Sequence, residues 1–151
     1  MSVAQLEVSS DLKRAGRRFG YGVAIAVNLA MLIGVQYILE WGWLAFLTDE
    51  FAGLVPWISF GLATTIVANL VYEFNDTPVV KSTGQLLANL ISIFVTFEVY
   101  LVFPFDFSGS TFSWDVVMRV LLVLAMVGAG VGVLVEAVKL ASNGSRQEER
   151  R

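Results

Sequence analysis

In a chain of 151 residues, 56% apolar and 15% charged positions depart from the roughly 45–50% and 25% of soluble domains, which points to lipid as the surrounding solvent. The apolar surplus excludes intrinsic disorder, and a net charge of −3 offers no basic field, so nucleic acid is not an expected partner. Cys and His are both missing, which removes disulfides, thiolate nucleophiles, Cys- and His-ligated metals and haem, and the usual proton shuttle; no cofactor or metal site is expected.

The chain opens with a basic segment, 1–18, carrying Lys13, Arg14, Arg17 and Arg18. An apolar run over 19–39 follows and leads into Glu40, Trp41 and Trp43. A cleavable signal has an apolar stretch of only about 7–15 residues, so this run reads as a retained transmembrane helix. A second run covers 54–72 and ends before Asn75-Asp76-Thr77-Pro78, a turn signal in which Asn and Asp bond their own backbone and Pro fixes the next dihedral. The third run, 86–103, precedes a loop with Phe107-Ser108-Gly109-Ser110, and the fourth covers 116–135. Crossing about 30 Å of hydrocarbon takes about 20 helical residues, and backbone hydrogen bonding in lipid leaves helix as the form for each run. The expected fold is therefore all-α: an integral membrane four-helix bundle, up-down-up-down, over 19–140. The tail, 141–151, is polar and expected to be disordered from Ser142 onward.

Basic residues fix the expected orientation. Nine of the ten Lys and Arg lie in the N-terminal segment, at Lys81, or in the C-terminal part; the two intervening loops have none and carry Glu40, Asp49, Glu50, Asp106 and Asp115. Both termini are thus expected in the cytoplasm, with the plasma membrane as the expected location. Trp41, Trp43, Trp57 and Trp114 all fall at the opposite, outer face, where an aromatic belt would sit. Asn28-Leu29 and Asn89-Leu90 occupy similar places in the first and third runs, a weak sign of a duplicated hairpin.

Polar residues inside the runs are the candidate functional positions. Glu98 and Arg119 lie at similar depth in the outer half of the bilayer and are expected to form an intramembrane ion pair, or to mark a functional charge. Gln85, Asn89, Ser92, Thr96 and Tyr100 recur every three or four residues and share one helix face, while Thr65 and Asn69 make a similar stripe on the second helix. Such stripes serve as interhelical glue or line a hydrated path. Gly128 and Gly132 form a GxxxG in the fourth run, a motif for close helix packing.

With so few reactive groups and no catalytic spacing, the chain reads as a non-enzymatic accessory or scaffold subunit acting by helix packing in the lipid bilayer. The alternative is an oligomeric channel or carrier using the polar stripes and Glu98. Either way it is expected to join a homo-oligomer or another membrane subunit, because Asn89 and Glu98 lie on opposite faces of one helix and both prefer protein to lipid.

Overall fold

The computed structural model describes residues 3–42 and 44–148, and among them the chain is entirely helices and connecting loops: α1 Val3–Tyr37, α2 Phe51–Phe74, α3 Pro78–Val102 and α4 Trp114–Glu148. Local chemistry sets the boundaries. α1 ends where the Glu40 and Trp41 amides both donate to the Tyr37 carbonyl, followed by Gly42 at φ +62°, a left-handed position that suits glycine. The expected Asn75 turn forms: the Thr77 amide donates to Asn75 Oδ1 at 3.3 Å, and Pro78 takes the first helical position of α3, where its missing N–H leaves nothing unpaired.

Three helices outrun their apolar stretches. α1 begins at Val3, well ahead of Phe19; α3 starts at Pro78 rather than Leu86; α4 runs through Glu148, so the polar segment from Ser142 expected to be disordered is helical that far. Propagating an established helix is far easier than nucleating one, and Lys, Arg, Gln and Glu are good helix formers.

Neighbouring helices are antiparallel. Gln36 Nε2 donates to Ser59 Oγ at 2.8 Å near one end of α1–α2, while the Tyr21 and Tyr72 rings meet at 5.6 Å near the other. In α2–α3, Trp57 meets Phe94 edge-on and the Tyr72 hydroxyl donates to the Lys81 carbonyl. In α3–α4, Arg119 stands over Tyr100 and Asn89 faces Gly132. The up-down-up-down order holds, with the α1–α2 and α3–α4 hairpins both opening toward the end that carries Arg17, Asp76 and Lys139.

Packing follows chain order alone: α1 on α2, α2 on α3, α3 on α4. No Cα of α1 comes within 8 Å of one in α4 among the described residues, so the bundle stays open along that seam. Little of it is buried: in the most apolar 18-residue stretch of each of the spans Ala15–Tyr37, Phe51–Phe74, Pro78–Val102 and Trp114–Asn143, at most 6% of the residues are buried. Side chains such as Phe19, Leu124 and Leu134 stand in the open, an apolar surface that water would not tolerate and lipid would solvate.

At the tryptophan end the two loops are zipped together. Leu47 and Phe105 form an antiparallel bridge, with the Thr48 amide donating to the Pro104 carbonyl and the Asp106 amide to Phe46. Stacked rings of Phe46, Phe105 and Phe107 cover it, and Pro104 is fully buried beneath. Trp41, Trp57 and Trp114 lie half-exposed at this end; Trp43 lies outside the described residues.

Candidate functional site: a polar groove and a charged cleft

The stripes predicted on two separate helices come together. Thr65 and Asn69 from α2 and Gln85 and Asn89 from α3 line a cavity of about 350 Å³. Thr65 also lines a neighbouring cavity of about 200 Å³, with Ser92 and Thr96. Ala88 belongs to both, so one groove runs along the α2–α3 seam. Its walls spend hydrogen bonds on their own backbone: Thr65 Oγ1 donates to the Gly61 carbonyl and Asn69 Nδ2 to the Thr65 carbonyl. Gln85 and Ser92 are exposed. The other face of the same helix pair is apolar, a cavity of about 360 Å³ lined by Val67, Val71, Val79, Val80 and Leu87. α2–α3 is therefore a two-sided layer, polar on one side and greasy on the other. Tyr100, the last stripe residue, lies beyond the groove, with the Arg119 guanidinium 5.3 Å from its ring centroid.

Gln85 also opens onto a second space, a cleft of about 560 Å³ at the basic end, to which α1, α3 and α4 all contribute. Around it runs a relay of hydrogen bonds. Lys81 Nζ donates to the Tyr21 hydroxyl at 3.0 Å, and that hydroxyl donates to Asp76 Oδ1 at 2.6 Å. Arg17 Nε donates to Asp76 Oδ2 at 2.7 Å. The Tyr21 hydrogen bond, the largest influence, holds the Asp76 carboxyl below its usual pKa; desolvation opposes it, and the Arg17 hydrogen bond with the Arg17 and Lys81 charges adds to the lowering. On α4, Lys139 Nζ donates to Glu136 Oε1 at 2.6 Å, and Ser82 of α3 is buried nearby. Tyr72 of α2 reaches the same region through its bond to the Lys81 carbonyl. Here alone, among the described residues, polar side chains of all four helices come together.

Glu98 and Arg119 do not pair: no ion pair within 4 Å joins them among the described residues, and Arg119 stacks on the Phe103 ring at 4.0 Å instead. The reason is local. Phe103 caps α3 in the left-handed region at φ +45°, where its ring meets Arg119, and a cation over an aromatic face is stabilised without needing a carboxylate. Glu98 is half-buried on α3. The GxxxG also divides: Gly132 faces the Asn89 amide, whereas a Cβ at Gly128 would meet open space. Close approach elsewhere uses Gly61, against Ile91 and Val95, and Gly84, against the Tyr72 ring. Asn28 and Asn89, aligned by the weak repeat, do different things: Asn28 bonds back to the Ala24 carbonyl, and Asn89 faces α4.

The sequence reading missed the cleft. Lys81 and Lys139 serve there as orientation signals, Arg17 as an orientation signal that could also attract anionic lipid, and Asp76 as a turn residue, while Glu136 and Tyr21 have no part in it. The available signal was Glu136, an acid within an apolar span with Lys139 three residues on. Compared with protein-family models, curated proteins and solved structures, the chain matches none.

Proposed function

We propose that this membrane protein is a non-enzymatic subunit that works by assembly, and that a second copy of the chain covers its polar groove. The observation that carries the reading is the open seam: among the described residues no Cα of α1 comes within 8 Å of one in α4, and Gln85 and Ser92 are left exposed, without a covering helix. Polar groups facing hydrocarbon seek protein partners. Asn, Gln, Ser and Thr each carry both donors and acceptors, which makes such a stripe self-complementary and suits a two-fold interface. Purification in mild detergent with mass measurement by light scattering tests it: a dimer or larger homo-oligomer is expected, and a monomer with no second protein attached contradicts it.

The basic end faces the cytoplasm in this reading and the tryptophan end faces outward, in the plasma membrane, on the strength of the distribution of Lys and Arg. A reporter inserted after Gly109 should read as external and one at the C-terminus as cytoplasmic; an inverted pair would overturn the orientation.

A second reading, conduction by a channel or carrier, draws support from continuity. Gln85 joins the charged cleft to the larger groove cavity, and Thr65 joins that cavity to the smaller one, giving a polar track along much of the membrane-spanning length. Ion flux in proteoliposomes that is lost in Asn69→Leu would favour it. Electrically silent liposomes holding intact oligomer favour the assembly role.

A further inference from the structure

The cleft at the basic end leaves binding capacity unused. Glu136 lines it and is only 5% exposed; Lys139 occupies its Oε1 and the Ser82 hydroxyl lies beside the carboxylate, yet Oε2 is buried with no hydrogen-bond partner among the described residues. Lys81 places one hydrogen bond on the Tyr21 hydroxyl and, among the described residues, has no carboxylate within 4 Å, which leaves two of its three donors. Arg17 engages Asp76 through Nε and is half-exposed. A buried, unpaired carboxylate oxygen is costly, and its natural complement is a donor, best a charged one.

We propose that this cleft binds the headgroup of a phospholipid bearing a primary ammonium, with the phosphate held by Lys81 and Arg17 and the ammonium directed to Glu136 Oε2. The site lies at headgroup depth, because Arg17, Pro78, Lys139 and Ser142 all sit near the ends of their spans. About 560 Å³ is within the usual range for small-ligand sites of roughly 300–1,000 Å³. The charges fit a zwitterion: three cations, Arg17, Lys81 and Lys139, stand beside two acids, Asp76 and Glu136. A purely anionic headgroup would leave the Glu136 oxygen unpaired. A quaternary ammonium carries no N–H to offer it. The inference is independent of self-assembly, since the cleft is formed within one chain.

Native mass spectrometry of the full chain, titrated with phosphatidylethanolamine, its N-methyl and N,N-dimethyl derivatives and phosphatidylcholine of identical acyl chains, tests it. Across that series the ammonium loses its N–H donors one by one. Retention should hold while at least one N–H remains and fall by roughly tenfold at phosphatidylcholine, where the last is lost, if one charged hydrogen bond is at stake. Equal retention across the series overturns the proposal, and so does stronger retention of phosphatidylglycerol. Glu136→Gln should abolish the discrimination, and Lys81→Met should weaken every member; wild-type discrimination in Glu136→Gln removes the assigned contact. Soluble phosphoethanolamine should not displace the lipid at equal concentration. Displacement would make the free ester the ligand and overturn the lipid assignment.

Discussion

A Cβ built on Gly132 would stand 2.5 Å from Asn89 Nδ2, while one on Gly128 would touch nothing. Gly132→Ala would have to push the Asn89 amide aside, and since that is the end of a side chain the cost should stay below the usual overpacking penalty of about 1–3 kcal/mol while cancelling any gain in helix propensity. Gly128→Ala should be neutral, or stabilising by about 0.5–1 kcal/mol through the better helix propensity of Ala. Thermal unfolding of the two variants side by side in one detergent checks the contrast. Arg119 supplies a second test: its energetic partner is the Phe103 ring 4.0 Å away rather than Glu98. A double-mutant cycle of Arg119→Gln with Phe103→Leu should show coupling of about 0.5 kcal/mol or more. The same cycle with Glu98→Gln should be additive, and the reverse pattern would restore the ion pair. Asp76 adds a pH dependence. Its folded pKa is lowered by the Tyr21 and Arg17 hydrogen bonds, so the stability it contributes is present above the unfolded carboxyl value of about 4 and is lost as pH falls through its lowered one. Wild type should lose stability over that acid window by more than Asp76→Asn does, as read from unfolding midpoints against pH.

Among the elements, the helices were legible because lipid imposes one rule on every run of apolar residues. Their existence, number and alternation follow from four stretches near 20 residues, and the Asn75 turn follows from residue types that bond their own backbone. The stripes on α2 and α3 were legible for a similar reason: helical periodicity places Asn89 and Ser92 on one face whatever surrounds them. Helix ends were not, because polar residues such as Arg17 and Ser142 extend a helix out of the membrane as readily as they end one. Pairing across helices was hidden too. Equal depth placed Glu98 and Arg119 near each other, but depth carries no information about rotation, and the left-handed Phe103 that captures Arg119 is a backbone event with no sequence marker. The zipper between the loops depends on Leu47 and Phe105, 58 positions apart, meeting as a bridge. That meeting becomes visible only once α2 and α3 are packed.

As a whole molecule, the chain is held at its two ends and open along one side. The Phe46, Phe105 and Phe107 rings with buried Pro104 join the hairpins at the tryptophan end, and the relay through Tyr21, Asp76 and Lys81 joins them at the other. Between those ends no Cα of α1 comes within 8 Å of one in α4 among the described residues, and the polar groove of α2–α3 is the surface proposed to be covered. The absence of native cysteine makes the decisive measurement clean, since any engineered thiol is the only one in the chain. Ser92→Cys lies in the groove, and Val67→Cys lies on the apolar face of the same helix pair. In native membranes treated with a short thiol-reactive cross-linker, Ser92→Cys should give a covalent dimer of this chain while Val67→Cys stays monomeric. No dimer from Ser92→Cys, or equal yields from both positions, would contradict the assembly of this protein through its polar groove.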